Sequence, residues 1–126
     1  MENKIWGTKV RLVETPTLVV DLLTLEEDSF CSWHYHDFKY NMFFVLEGIV
    51  EIKLETHSET LGTYDYYSVE PKIRHQFIVK SNAKMLEIMY TKPVMEKDII
   101  REIQGGKIIN GKFVTEDEIK ERDCDT

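Results

Sequence analysis

A chain of 126 residues has room for one domain, and 42% hydrophobic with 31% charged residues is a folding balance rather than a disordered one. The net charge of −7 argues against partners such as nucleic acid or an acidic membrane, both of which need a positive field. It leaves open a small anionic substrate, because a metal ion or a few local cations can dominate a pocket.

Residues 1–6 mix charged and polar types, with no apolar run of signal-peptide length, and no segment is long and apolar enough to span a bilayer. Cys31 and Cys124 lie too far apart in sequence to form a disulfide framework, and they suit a reducing compartment. The expectation is a soluble, cytoplasmic protein.

From there the chain is a series of short apolar or alternating runs separated by turn signals, the pattern of an all-β sandwich or barrel. Residues 17–23 form the first run, and Glu26-Glu27-Asp28-Ser29 reads as a turn. Residues 30–36 alternate as a strand, and 37–39 suit a loop. Residues 41–46 are densely apolar and end at Gly48; residues 49–54 follow at once, so Glu47-Gly48 reads as a tight connection or a bend within paired strands. Residues 56–60 read as a polar hairpin tip. Runs at 66–69, 73–79 and 84–91 complete the set, with Ser81-Asn82 as a hairpin turn between the last two. Residues 95–103 suit a short helix or an arm, and Gly105-Gly106 breaks them. Thr115 with Glu118 forms a capping box that predicts a helix over 116–122. The expected division is a barrel domain over 1–106, its core at about 17–93, and a C-terminal extension over 107–126.

Strand periodicity places His34 and His36 on one face, together with Phe30 and Ser32, while Cys31, Trp33 and Tyr35 point the other way. Two imidazoles on one face can chelate a cation, and imidazole nitrogen suits zinc, iron, nickel or copper. In the next run Asn41, Phe43 and Val45 share a face: one polar group at the strand mouth, then apolar core. Ile73, His75, Phe77 and Val79 share another, and His75 becomes a third ligand if its strand lies beside that of His34. His57, in a polar stretch between strands, has no expected role.

The arrangement resembles the cupin family. Asp28 stands where the first motif opens with glycine, and His34-x-His36 follows after five residues. Asn41 comes after four more residues, where the family usually has a glutamate ligand, and Gly48 after a further six. The second motif matches Tyr64-Asp65, Pro71 and His75, ten residues after the aspartate. The resemblance implies a cupin fold, a double-stranded β-helix or jelly-roll barrel, with a short C-terminal arm or helix. It also implies one divalent transition metal ion, zinc, iron, nickel or manganese, at His34, His36 and His75. Asn41 would add a neutral oxygen or stand just behind the ligands.

Residues 85–93 and Asp98-Ile99-Ile100-Arg101 are further similar to type II mannose-6-phosphate isomerase-like cupins, with Lys107 nearest the position of that group's closing arginine. That likeness implies a metal-dependent isomerase or epimerase acting on a sugar or sugar phosphate. Glu87 is then the candidate catalytic base, and Lys39, Tyr66 and Arg101 are candidate substrate contacts. Parity groups Met85, Glu87, Met89 and Thr91 on one face and Leu86, Ile88 and Tyr90 on the other. It does not say which is inside, although the face of Leu86, Ile88 and Tyr90 is the fitter for core. A non-enzymatic sugar or small-molecule binding module and a non-haem iron dioxygenase stand as alternatives. Exposed Trp33 and Tyr35 beside Cys31 suggest a homodimer.

Overall fold

The computed structural model describes residues 1–91 and 102–124, which divide into two compact units, Met1–Pro93 and Val94–Thr126. In the first unit the strands are β1 (Glu2–Lys4), β2 (Gly7–Glu14), β3 (Leu18–Leu25), β4 (Tyr40–Glu47), β5 (Val50–Leu54), β6 (Ser58–Leu61), β7 (Tyr66–Val69), β8 (His75–Val79) and β9 (Ala83–Tyr90). They form a six-stranded antiparallel sheet in the order β1-β2-β3-β9-β4-β7 and a three-stranded sheet in the order β6-β5-β8. This is a jelly-roll barrel.

The period-two pattern of the sequence decides what is inside. In β3 Asp21, Leu23 and Leu25 are buried, in β4 Asn41, Phe43 and Val45, in β5 Val50, Ile52 and Leu54, and in β8 His75, Phe77 and Val79. The apolar side chains among them, with Leu61, Val69, Ala83 and Met85, make one core drawn from both sheets. Trp6 closes over it, edge-on to Phe77 with ring centres 5.3 Å apart.

The connections follow the sequence expectation only in part, because turn residues do not report which sheet the next run joins. Glu47-Gly48 is the tight connection of the two alternatives, not a bend within paired strands: β4 ends at Glu47, β5 begins at Val50, and the two belong to different sheets. Ser81-Asn82 is no hairpin turn, since β8 and β9 do not pair. These two side chains instead fasten neighbouring connections, Ser81 Oγ accepting from the Ile49 N–H and Asn82 Oδ1 from the Glu27 N–H, both at 2.9 Å. The hairpin between β5 and β6 is real, but its tip is narrower than expected, since Ser58 already belongs to β6. The residues ahead of the first run supply two more strands, β1 and β2.

The second unit is a hairpin, β10 (Gly106–Ile109) and β11 (Lys112–Thr115), followed by α1 (Glu116–Cys124). Asn110 (φ 51°) and Gly111 (φ 76°) supply the two left-handed residues of a tight hairpin turn. Thr115 caps α1: its Oγ1 donates to Glu118 Oε1 at 3.1 Å and accepts from the Glu118 N–H at 3.5 Å. The expected helix or arm over 95–103 falls largely outside the described residues.

Candidate metal centre

Residues 30–36 form no regular strand. They run along the free edge of β8 through two isolated bridges, Phe30 to Ile78 and His34 to His75. Between the bridges this segment advances four residues while β8 advances three, so one extra residue is accommodated. This bulge resets the side-chain alternation. Phe30 is therefore exposed rather than sharing a face with His34, and Cys31 turns inward, packing on the core and accepting the Phe77 N–H at its Sγ. Trp33 and Tyr35 are exposed as expected, Trp33 under Lys53 and Tyr35 under Arg74 in cation–π contacts.

His34, His36 and His75 converge, with ligand atoms within 4.8 Å of one another. The Nδ1 of His75 lies 2.8 Å from the Ile73 carbonyl, and that of His34 lies 2.9 Å from the Ser32 carbonyl. A carbonyl only accepts, so His75 Nδ1 carries the proton and its Nε2 presents a lone pair, while His34 Nδ1 meets both the carbonyl and the Oγ of Ser32 at 2.9 Å. His36 Nε2 is buried with no hydrogen-bond partner. Asn41, fully buried, sets its Oδ1 3.2 Å from His75 Nε2. An amide oxygen and an unprotonated imidazole nitrogen share no hydrogen between them, which is the arrangement two ligands adopt around one cation. The backbone carbonyls holding Nδ1 fix ring orientation, as the outer partners of metal-binding histidines do.

Protonation agrees with that role. Burial pushes His75 down to about 4, opposed by its bond to the Ile73 carbonyl and aided by the charges of His34 and His36. Burial, then the charge of His34, also lowers His36; the nearby Asn41 works the other way, and Lys39 adds to the lowering. Neutral imidazoles are what a divalent metal requires. The donor set of imidazole nitrogen and amide oxygen fits a transition metal ion, with the three histidines as the firm ligands and coordination positions left open.

Glu87 faces the interior. Its cross-strand partners are Asp21 on β3 and Phe43 on β4, both buried on the inner face. The face of β9 expected to be core, with Leu86, Ile88 and Tyr90, is the outer one. Asn41 Nδ2 donates to Glu87 Oε2 at 3.4 Å, so the amide has its oxygen toward the histidines and its nitrogen toward the carboxylate. Burial raises the Glu87 pKa; the Asn41 donor lowers it, Asp21 raises it, and Lys9 and His34 lower it.

Asp21, to which the sequence alone assigned no role, is fully buried and paired with Arg11 Nε at 2.9 Å and Lys9 Nζ at 3.8 Å. An acid in the middle of the run Val-Val-Asp-Leu-Leu was the available signal. Beside the centre, one register step away, Leu54 (opposite His75) and Val69 (opposite Asn41) help wall a cavity of about 310 Å³ with Tyr67, Ile73, Glu55 and His57.

The remaining expected contacts are scattered. Lys39 is exposed in the loop between His36 and Asn41. Tyr66 is 65% exposed on the outer face and is not brought to the centre; its neighbour Tyr67, paired with Phe43, faces the interior. Strand alternation permits only one of the two to do so. Arg101 lies outside the described residues. Asp28, which stands where the motif opens with glycine, adopts left-handed turn geometry (φ 62°), and so does Tyr64 (φ 67°).

The family model described as "Cupin domain" matches residues 21–89. Among solved structures, KdgF from Halomonas sp. superposes with a TM-score of 0.68 at 14% identity, over 74% of this chain and 87% of that one. A cupin-2 domain containing protein from Shewanella frigidimarina gives 0.59 at 21% identity, over 68% and 81%. A cupin superfamily protein from Desulfitobacterium hafniense gives 0.64 at 16% identity, over 73% and 84%. At these identities the likeness is one of fold. No curated protein sequence matches.

Proposed function

The chain belongs to the cupin domain family, and within it we propose a metal-dependent isomerase or epimerase acting on a small oxygen-rich substrate, a sugar or sugar phosphate. The observation that carries this reading is the Asn41 amide, with His75 on its oxygen side and Glu87 on its nitrogen side. It sets a carboxylate close to the three-histidine centre without making it a ligand. Bound there, a divalent metal would supply Lewis acidity to a substrate carbonyl or hydroxyl oxygen.

The chain's own groups account for the rest. Glu87, desolvated and with its pKa raised, is suited to take a proton from the carbon next to the carbonyl carbon. It can return that proton either to the former carbonyl carbon, the hydroxyl proton passing to the carbonyl oxygen (isomerisation), or to the opposite face of the same carbon (epimerisation). Asn41 Nδ2 holds Glu87 Oε2, leaving the other carboxylate oxygen for the proton. Leu54, Val69 and Tyr67 wall a cavity beside the centre that offers space for a small substrate.

The test is proton exchange. Metal-loaded protein is incubated in heavy water with a panel of aldoses, ketoses and their phosphates, and deuterium beside the carbonyl is followed by NMR. Exchange that is lost in Glu87→Gln with metal content retained supports the reading. A second reading, a binding module without turnover, draws support from Asn41 in place of a charged ligand; it is favoured by substrate binding with no exchange. Iron-dependent oxygen uptake would replace both with a dioxygenase.

A further inference from the structure

The strands β2, β3, β9, β4 and β7 lie side by side, and their register aligns one row of outward side chains: Val10, Leu22, Leu86, Phe44 and Tyr66. The next row repeats the chemistry with Val13, Val20, Ile88 and Met42. Beyond it Tyr40 stacks on Tyr90, ring centres 5.1 Å apart. None of these side chains belongs to the core, which the opposite face of the sheet supplies. Among the described residues, charge enters this outer face at one end, where Lys84 meets Glu47 at 3.6 Å.

The smaller sheet is built differently. Its middle strand β5 buries Val50, Ile52 and Leu54 and turns Glu51 and Lys53 outward, opposite Thr60 and Ser58 of β6. That is the alternation of a sheet with one face in water. The runs Leu-Val-Val-Asp-Leu-Leu-Thr-Leu of β3 and Tyr-Asn-Met-Phe-Phe-Val-Leu-Glu of β4 are apolar on both faces, the composition of strands covered on both sides. Trp33 and Tyr35, from which the sequence suggested a dimer face, lie elsewhere, under Lys53 and Arg74.

We infer that the outer face of the six-stranded sheet is covered by the same face of a second copy of this chain, in a two-fold dimer of stacked sheets. The size is right. Five strands about 4.8 Å apart, with central strands of eight residues at about 3.4 Å each, give a projected area of roughly 600 Å² before side-chain relief. A monomer rarely leaves an apolar patch beyond about 300–600 Å² in water, and a standard interface buries about 800 Å² per partner. The chemistry suits a self-complementary contact. A two-fold axis sets a face against its own copy, so like charges would meet; here charge is confined to one ion pair at the end, even though each chain carries −7. The central strands β9 and β4 carry Glu87 and Asn41 on their other side, so the contact braces the strands that position these groups.

The experiment is sedimentation equilibrium of the full chain over a range of micromolar concentrations. The unmodified protein is expected at twice the chain mass. Ile88→Arg, at the middle of the face, should weaken self-association by about a hundredfold or more, because each copy would bury an unpaired charge against its like. Phe30→Arg, exposed on the other side of the barrel, should leave the dimer intact. Should Ile88→Arg not fold, Tyr66→Arg at the exposed rim should weaken the dimer several-fold. A single-chain mass at every concentration would overturn the inference and assign the face to the chain's own C-terminal segment or to a different protein. A dimer that survives Ile88→Arg and Tyr66→Arg would overturn it too, and loss of that dimer in Phe113→Arg would move the contact to the C-terminal hairpin.

Discussion

Asn41 donates its Nδ2 proton to Glu87 Oε2 across the two neighbouring strands β4 and β9, at 3.4 Å. The same amide reaches His75 with its oxygen, so one buried side chain connects the centre to the carboxylate. Removing or recharging any part of this chain of groups has separable effects.

Metal should hold the barrel together as well as serve chemistry. His34 and His36 lie on a segment attached to β8 by isolated bridges rather than a full ladder, and a shared ion would tie that segment to the sheet. Chelation is expected to lower the unfolding temperature, with metal at about a hundred times its Kd adding about 2.7 kcal/mol. Differential scanning fluorimetry with and without chelator checks this, and His75→Ala should abolish the difference.

Glu87→Gln should abolish proton exchange while leaving metal content unchanged. In the metal-free protein it should also alter the pH dependence of stability. The pKa of Glu87 is raised on folding, so its contribution is fully present below the unfolded value near 4.5 and is lost as pH rises through the folded value. The variant should therefore gain stability relative to the native protein on going from about pH 4 to about pH 8. Urea melts at the two pH values read the sign directly; a variant that loses ground at the higher pH contradicts the burial assigned to this group.

Cys31 should be unreactive at neutral pH. Burial raises its thiol to about 11, against the Phe77 N–H bond that favours the thiolate. Alkylation by iodoacetamide, followed at residue 31 by peptide mass mapping, should be slow at about pH 7.5 and accelerate towards about pH 10.5 in the folded protein. Fast labelling near neutral pH under native conditions would place this thiol outside the core.

Gly48→Ala should destabilise the barrel where the chain passes from one sheet to the other. Gly48 has φ 88°, and a Cβ there would stand 2.3 Å from the Asn82 carbonyl oxygen and 2.7 Å from Ala83 Cβ. The backbone conformation alone costs an alanine about 1–3 kcal/mol, before the steric clash. Gly62→Ala, whose Cβ would meet only Asp65 at 3.7 Å, is the control and should be nearly neutral in urea denaturation.

Much of this was legible in the chain itself. Alternation over β4 and β8 named the buried faces, because a strand's period of two is a local property. The His-x-His pair, the distant His75 and the Thr115–Glu118 cap were visible for the same reason: each depends on spacing within a few residues or on a motif of fixed order. The Asn110-Gly111 turn was equally local and was missed, though that dipeptide is a strong hairpin signal.

What the sequence could not decide was absolute placement. Parity said that Glu87 shares a face with Met85, yet only the pairing of β9 with β3 and β4 turns that face inward, beside Asp21 and Phe43. The extra residue between Phe30 and His34 broke the alternation because the segment follows β8, a neighbour distant in the chain, rather than its own period. Sheet membership at Gly48 and Ser81-Asn82 was undetermined for a related reason, since a turn dictates a change of direction but not the next partner. Local stereochemistry fixes which residues can stand together; long-range strand pairing and burial fix which of those sets becomes the interior.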